Sequence, residues 1–117
     1  MKKLITAKQH ALIDYVLVGA LLTVPTLLRM NNKAKKIYAT EALILLPYIA
    51  ITKQPLALKG IIPFKTHGRI DPFNIGQFAL QTFLKPFRKT NKELIFNIAF
   101  TTVAGATVWL TDWNSSK

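Results

Sequence analysis

Residues 10–28 read HALIDYVLVGALLTVPTLL. The stretch carries a single charge, Asp14, and its opening signature occurs twice. His10, Ile13-Asp14 and Gly19 return 57 residues later as His67, Ile70-Asp71 and Gly76. A second correspondence follows the first: Glu41 and Glu93 each stand five residues after a basic residue, Lys36 and Arg88, and open the next apolar run. Four of the five acidic residues therefore occupy repeat-related positions. The pattern predicts an all-α fold, a four-helix transmembrane bundle built from two parallel helix-pair repeats. The chain is then a single membrane domain over 1–117, with repeat 1 at about 7–53, a linker at 54–66 and repeat 2 at about 67–111.

The distribution of charge carries the membrane assignment. The net charge is +11, yet all 16 Lys and Arg fall outside four windows, 9–28, 37–52, 70–84 and 93–116. A soluble amphipathic helix would place Lys and Arg along its outer face every third or fourth residue. These windows do not, so their outer faces must meet a solvent other than water. The rival reading, a soluble basic four-helix bundle, draws on the shortness of the spans. The basic residues suit anionic lipid headgroups at the loops, each contributing about 1 kcal/mol near the surface. They lack groove-reading helices or stacked aromatics, so no nucleic acid is expected as a partner. With no cysteine there is no disulfide framework and no thiolate chemistry.

Thr6 to Gln9 fits a capping box and predicts a helix from about Ala7 to Leu28. Asn31 or Asn32 is the expected cap of a second helix over roughly 34–53, kinked at Pro47. Asp71-Pro72 reads as a helix start, an Asp N-cap followed by proline at the first helical position. The third helix then runs from there to about Leu84. Thr90 to Glu93 fits a second capping box, and the fourth helix continues to about Thr111, with Trp109 and Trp113 placed for an interfacial aromatic belt. Four spans put both termini on one side, with the linker. Loops 29–36 and 85–92 carry four basic residues each; the other side carries three before residue 9, four in 53–69 and Lys117. Eight against eight leaves the orientation open.

The candidate polar cluster is His10, Asp14, His67 and Asp71. Each His–Asp pair is four residues apart and so shares one helical face. Two imidazoles and two carboxylates converging between the repeats suit a divalent ion, a haem iron held by His10 and His67, or proton handling. The plainer reading assigns no metal and no cofactor. The four acids then cap the first turns of four helices and offset the macrodipole, and each histidine is bonded to its own Asp or across to the other repeat. Asn74, Gln77 and Gln81 fall on one arc of the third helix and, with Asn97 and Thr101 of the fourth, are candidate polar residues of the bundle interior. Asn97, Thr101 and Gly105 form a face of small residues suited to close packing on the third helix or on a second copy.

Asp14-Tyr15, Gly19-Ala20-Leu21-Leu22 and Val24-Pro25 resemble the first helix of SPW-repeat proteins, small membrane proteins of uncharacterised function built from two-helix repeats. Val24-Pro25-Thr26 keeps the proline of the name-giving motif without its serine or tryptophan. The resemblance implies a repeated helix-pair membrane architecture and no activity.

No nucleophile elbow, glycine-rich phosphate loop or HExxH motif is present, so the chain is expected not to be an enzyme. The expected function is that of a small multi-pass integral membrane protein, a structural or accessory subunit that can form a homo-oligomer. An oligomeric small transporter or channel is the alternative, and a metal- or haem-binding membrane protein using His10 and His67 the second.

Overall fold

The structure is a computed structural model that describes residues 3–115. Lys2 and Lys117, counted in the charge balance above, lie outside the described residues. The chain forms four helices, α1 (Ala7–Leu27), α2 (Asn32–Ala50), α3 (Phe64–Gln81) and α4 (Asn91–Leu110), with one 3₁₀ turn at Lys85–Phe87 before α4. Among the described residues, α1 and α4 alone are both long enough and apolar enough to cross a membrane. α2 opens on three lysines and α3 carries Lys65, Arg69 and Asp71, which lowers their hydropathy.

Caps set most helix starts. The Thr6 hydroxyl accepts from the Gln9 amide and the Gln9 side chain accepts from the Thr6 amide, so the expected capping box is formed. Asn31 caps α2 by accepting from the Ala34 amide at 2.9 Å. Thr90 is the N-cap of α4, but its side chain makes no bond to a helix amide. The second capping box is therefore not formed: the Thr90 hydroxyl donates to the Glu93 carboxylate instead.

α3 departs from expectation. It starts at Phe64, seven residues before Asp71, so the linker is 51–63, three residues earlier than the expected 54–66, and Pro72 lies inside the helix. A proline at position 72 removes only the bond to the carbonyl four residues earlier, which belongs to Gly68. The helix starts then match across the halves: His10 is the fourth residue of α1 and His67 the fourth of α3. This shift also overturns helix-start capping as the role of the acids. Asp14 and Asp71 are eighth in their helices and Glu41 is tenth, and no acidic residue lies in the first turn of α1, α2 or α3. Glu93 alone keeps that place.

Inside the bundle, Val18, Leu21, Tyr38, Ala42, Phe78 and Phe100 form the apolar core, and Phe87 of the 3₁₀ turn is fully buried against Tyr38. Many other interior positions are polar: His10, His67, Asp71, Gln81, Glu93 and Asn97 are all buried. Outside, Leu12, Val16, Leu43, Ile44, Phe73 and Ile95 are each more than half exposed. Buried polar groups thus accompany the apolar core, while many large apolar side chains lie outside.

At one end of the bundle the helix termini are clasped in matching fashion. The Leu4 and Ile5 amides donate to Leu110 O, and the Asp112 amide donates back to Ile5 O. In the second clasp the Ile61 and Ile62 amides donate to Ile51 O, and the Lys53 amide donates to Ile62 O. These clasps tie the start of α1 to the end of α4 and the start of α3 to the end of α2.

Candidate functional site: a buried His–Asp quartet

The clasps place His10 and Asp14 of α1 against His67 and Asp71 of α3. Offset by four in each helix, both side chains of a pair point the same way, toward the seam between α1 and α3. His10 Nε2 lies 3.1 Å from Asp14 Oδ2 and 3.2 Å from Asp71 Oδ2. His67 Nε2 lies 3.3 Å from Asp14 Oδ2 and 3.1 Å from Asp71 Oδ2. The four groups alternate around one centre, and their donor atoms all fall within 4.8 Å of one another. The sequence left open whether each histidine pairs with its own Asp or across the repeats; each does both.

A residue pair that the sequence reading missed orients the rings. His10 Nδ1 meets Thr111 Oγ1 at 2.7 Å, and His67 Nδ1 meets Thr52 Oγ1 at 2.8 Å. Each threonine hydroxyl already donates its only proton to the carbonyl one turn back, Thr52 to Tyr48 O at 2.6 Å and Thr111 to Thr107 O. Each Oγ1 is therefore left as an acceptor, so each ring must carry its proton on Nδ1. Nε2 of both rings is thereby turned to the carboxylates. The available signal was positional: Thr52 and Thr111 each directly follow the residue whose carbonyl accepts the clasp bonds, Ile51 and Leu110.

Aromatic rings close the outer side. Trp113 lies 4.9 Å from His10 ring to ring, Phe64 packs on Trp113 at 4.8 Å, and Tyr48 stacks on His67 at 4.2 Å. Trp113 is thus partly committed to the quartet, whereas Trp109 stays exposed. Its approach is close: a Cβ on Gly68 would lie 2.6 Å from the Trp113 ring, so only glycine fits there. The Tyr48 hydroxyl donates to Asp71 Oδ1 at 2.8 Å, leaving Oδ2 for the histidines. On the inner side Asp14 and Asp71 line a cavity of about 50 Å³ walled mainly by Leu17, Val18, Ile49, Phe78 and Phe100. A site of that size holds at least one water.

The donor set suits a bare divalent ion. A porphyrin between the imidazoles would need the plane that the carboxylate oxygens occupy, so haem does not fit. A proton-sharing ring of two imidazolium ions and two carboxylates is the other arrangement the groups allow.

The remaining candidates form a second, separate network. Tyr38 donates to Asn97 Oδ1 at 2.8 Å, and Asn97 donates to Phe78 O and to Thr82 Oγ1, both at 2.9 Å. Gln81 is buried beside Asn97, and Gln77, on the surface, donates to the Glu41 carboxylate. Thr101 donates to its own helix at Asn97 O, while Gly105 faces Ile75 of α3. Asn74 is apart from these and lines the cavity beneath the quartet. The arc on α3 is therefore divided between two places. Comparison with known protein families, curated proteins and solved structures returned no match, so the likeness to SPW-repeat proteins rests on the α1 residues alone.

Proposed function

We propose that the protein is a small, non-enzymatic, multi-pass membrane protein, a structural or accessory subunit whose two helix pairs are joined at one end by the His–Asp quartet. The observation that carries this reading is the distribution of side chains: His10, His67, Asp71, Glu93 and Asn97 are buried beside the apolar core, and a coat of leucine, isoleucine, valine and phenylalanine lies outside. In lipid every interior polar group must find a partner within the protein, and apolar groups gain nothing by turning inward. The His–Thr latches and the Tyr38–Asn97 network answer that demand. α2 and α3, the less apolar helices, cross beside α1 and α4 with their lysines and Arg69 near the ends. The exposed Leu58 and Ile61 lie with the chain termini at the bilayer surface.

The test is extraction. Expressed in cells, the chain stays with membranes through alkaline carbonate washing and needs detergent to remain dispersed and helical. A folded monomer in plain buffer would overturn the assignment.

Transport has less support than a structural role, because the cavity next to the quartet is walled mostly by aliphatic and aromatic side chains. Self-association has a specific observation in its favour. Gln77, Phe73 and Leu80 are exposed on α3, and the Gln77–Glu41 pair lies in a surface groove between α2 and α3 beside Ile37, Phe73 and Leu80 on one side and Lys33, Lys36 and Thr40 on the other. A polar pair facing lipid is costly, and a second copy of the chain would cover it.

A further inference from the structure

We propose that the His10, Asp14, His67 and Asp71 quartet is a binding site for one divalent first-row transition metal, with two imidazole nitrogens and two carboxylate oxygens as ligands. The proposal does not depend on the membrane assignment.

Three observations lead to it. First, the spacing fits. A tetrahedral ion with bonds of about 2.0–2.1 Å sets neighbouring donors about 3.3 Å apart. The four His–Asp contacts, four of the six edges of such a site, are 3.1, 3.2, 3.3 and 3.1 Å, and all four donor atoms lie within 4.8 Å of one another. Second, His67 Nε2 is buried and close to both carboxylates, yet it makes no hydrogen bond to either. A nitrogen left unbonded between two carboxylates is what a lone pair kept for an ion would leave; at the other ring, His10 Nε2 meets Asp71 Oδ2 at 3.2 Å. Third, both imidazoles give their other nitrogen to a fixed acceptor, Thr52 or Thr111. That outer contact is the usual way in which a protein sets the tautomer and ring angle of a metal-binding histidine.

Charge and chemistry agree with the geometry. Two neutral imidazoles and two carboxylates carry two negative charges, which one dication neutralises inside a buried site. The nitrogen–oxygen set without thiolate suits zinc, manganese, iron(II), cobalt or nickel, and disfavours copper(I). The cavity behind Asp14 and Asp71 leaves room for a water as a further ligand. The ion would bridge α1 and α3, one helix from each half, so binding would also fasten the bundle.

The experiment uses the full chain, stripped with chelator, checked for helicity and equilibrated with zinc or cobalt(II). The expected result is one metal per chain, with visible cobalt d–d absorption that zinc displaces. His67→Gln should abolish stoichiometric binding. Thr52→Val, which touches no ligand atom of the ion, should weaken it about 10–100-fold while helicity is kept. A helical wild-type chain that retains no metal would overturn the proposal, and that reading needs no variant to fold. Unchanged affinity in a folded His10→Gln/His67→Gln double variant would overturn it equally. Nitrogen-15 shifts showing both Nε2 atoms protonated in the presence of excess zinc would assign the quartet to an imidazolium ring instead.

Discussion

His10 of α1 and Asp71 of α3 stand 61 positions apart in sequence and 3.2 Å apart in space, Nε2 to Oδ2. With the reciprocal contact of His67 to Asp14, this crossed pairing makes the two halves a single unit. Breaking one partner of such a buried charged set costs more than the set contributes as a whole, because the survivors stay buried without compensation.

The two aspartates should therefore differ. Asp71 also accepts from Tyr48 and is the more buried, so Asp71→Asn should destabilise the fold by about 3 kcal/mol, as for other broken buried pairs. Asp14→Asn, at a group lacking that third contact, should cost less. Denaturant titrations of both variants in one detergent give the order, and a reversed order would contradict the inequivalence of the two carboxylates.

Thr52→Val and Thr111→Val keep shape but remove the acceptor of a buried imidazole N–H. Each should cost about 1–3 kcal/mol, the penalty of an unsatisfied buried donor. The double variant combines two latches on opposite halves. If both act through the shared quartet, the sum of the single effects will not equal the double effect.

Gly68→Ala should be damaging, because the new methyl would meet the Trp113 ring at 2.6 Å. Overpacking of this kind costs about 1–3 kcal/mol. A smaller residue at position 113 should relieve the clash and restore stability relative to the Trp113 variant alone. Melting curves of the four proteins in that cycle test the contact directly.

A methyl group at Gly19 or Gly76 would meet no neighbouring side chain within 4 Å, so alanine there should fit within one chain. On helix propensity alone each change should stabilise by about 0.5–1 kcal/mol. Gly76 lies next to Gln77 on the exposed face of α3. If that face packs on a second copy, Gly76→Ala should instead weaken dimers, measured by cross-linking in detergent, while Gly19→Ala leaves them unchanged.

Asn97→Leu would strand the Tyr38 hydroxyl, Phe78 O and Thr82 Oγ1 together. The expected loss is about 2–4 kcal/mol, since several buried groups lose partners at once. Tyr38→Phe removes only one bond and should cost near 1 kcal/mol. Unfolding of the two variants under one condition checks the ranking.

Much of the architecture was legible in the order of residues. The spacing of charges and caps determined four helices, placed the Thr6 and Thr90 starts and narrowed the cap of α2 to Asn31 or Asn32, because hydropathy and capping act over a few neighbouring residues. The duplication of His-x-x-x-Asp determined that both pairs share a helical face, since periodicity alone fixes direction around an axis. Asp71-Pro72 misled for the same local reason: it has the form of a helix start, while the contacts that carry α3 back to Phe64 come from the distant clasp with Ile51 and Lys53. What only the tertiary structure decided was the meeting of the two pairs, the threonine latches and the Trp113 cover. Periodicity reports which way a side chain points but not what lies opposite it, and partners separated by 61 or 101 residues are chosen by helix packing.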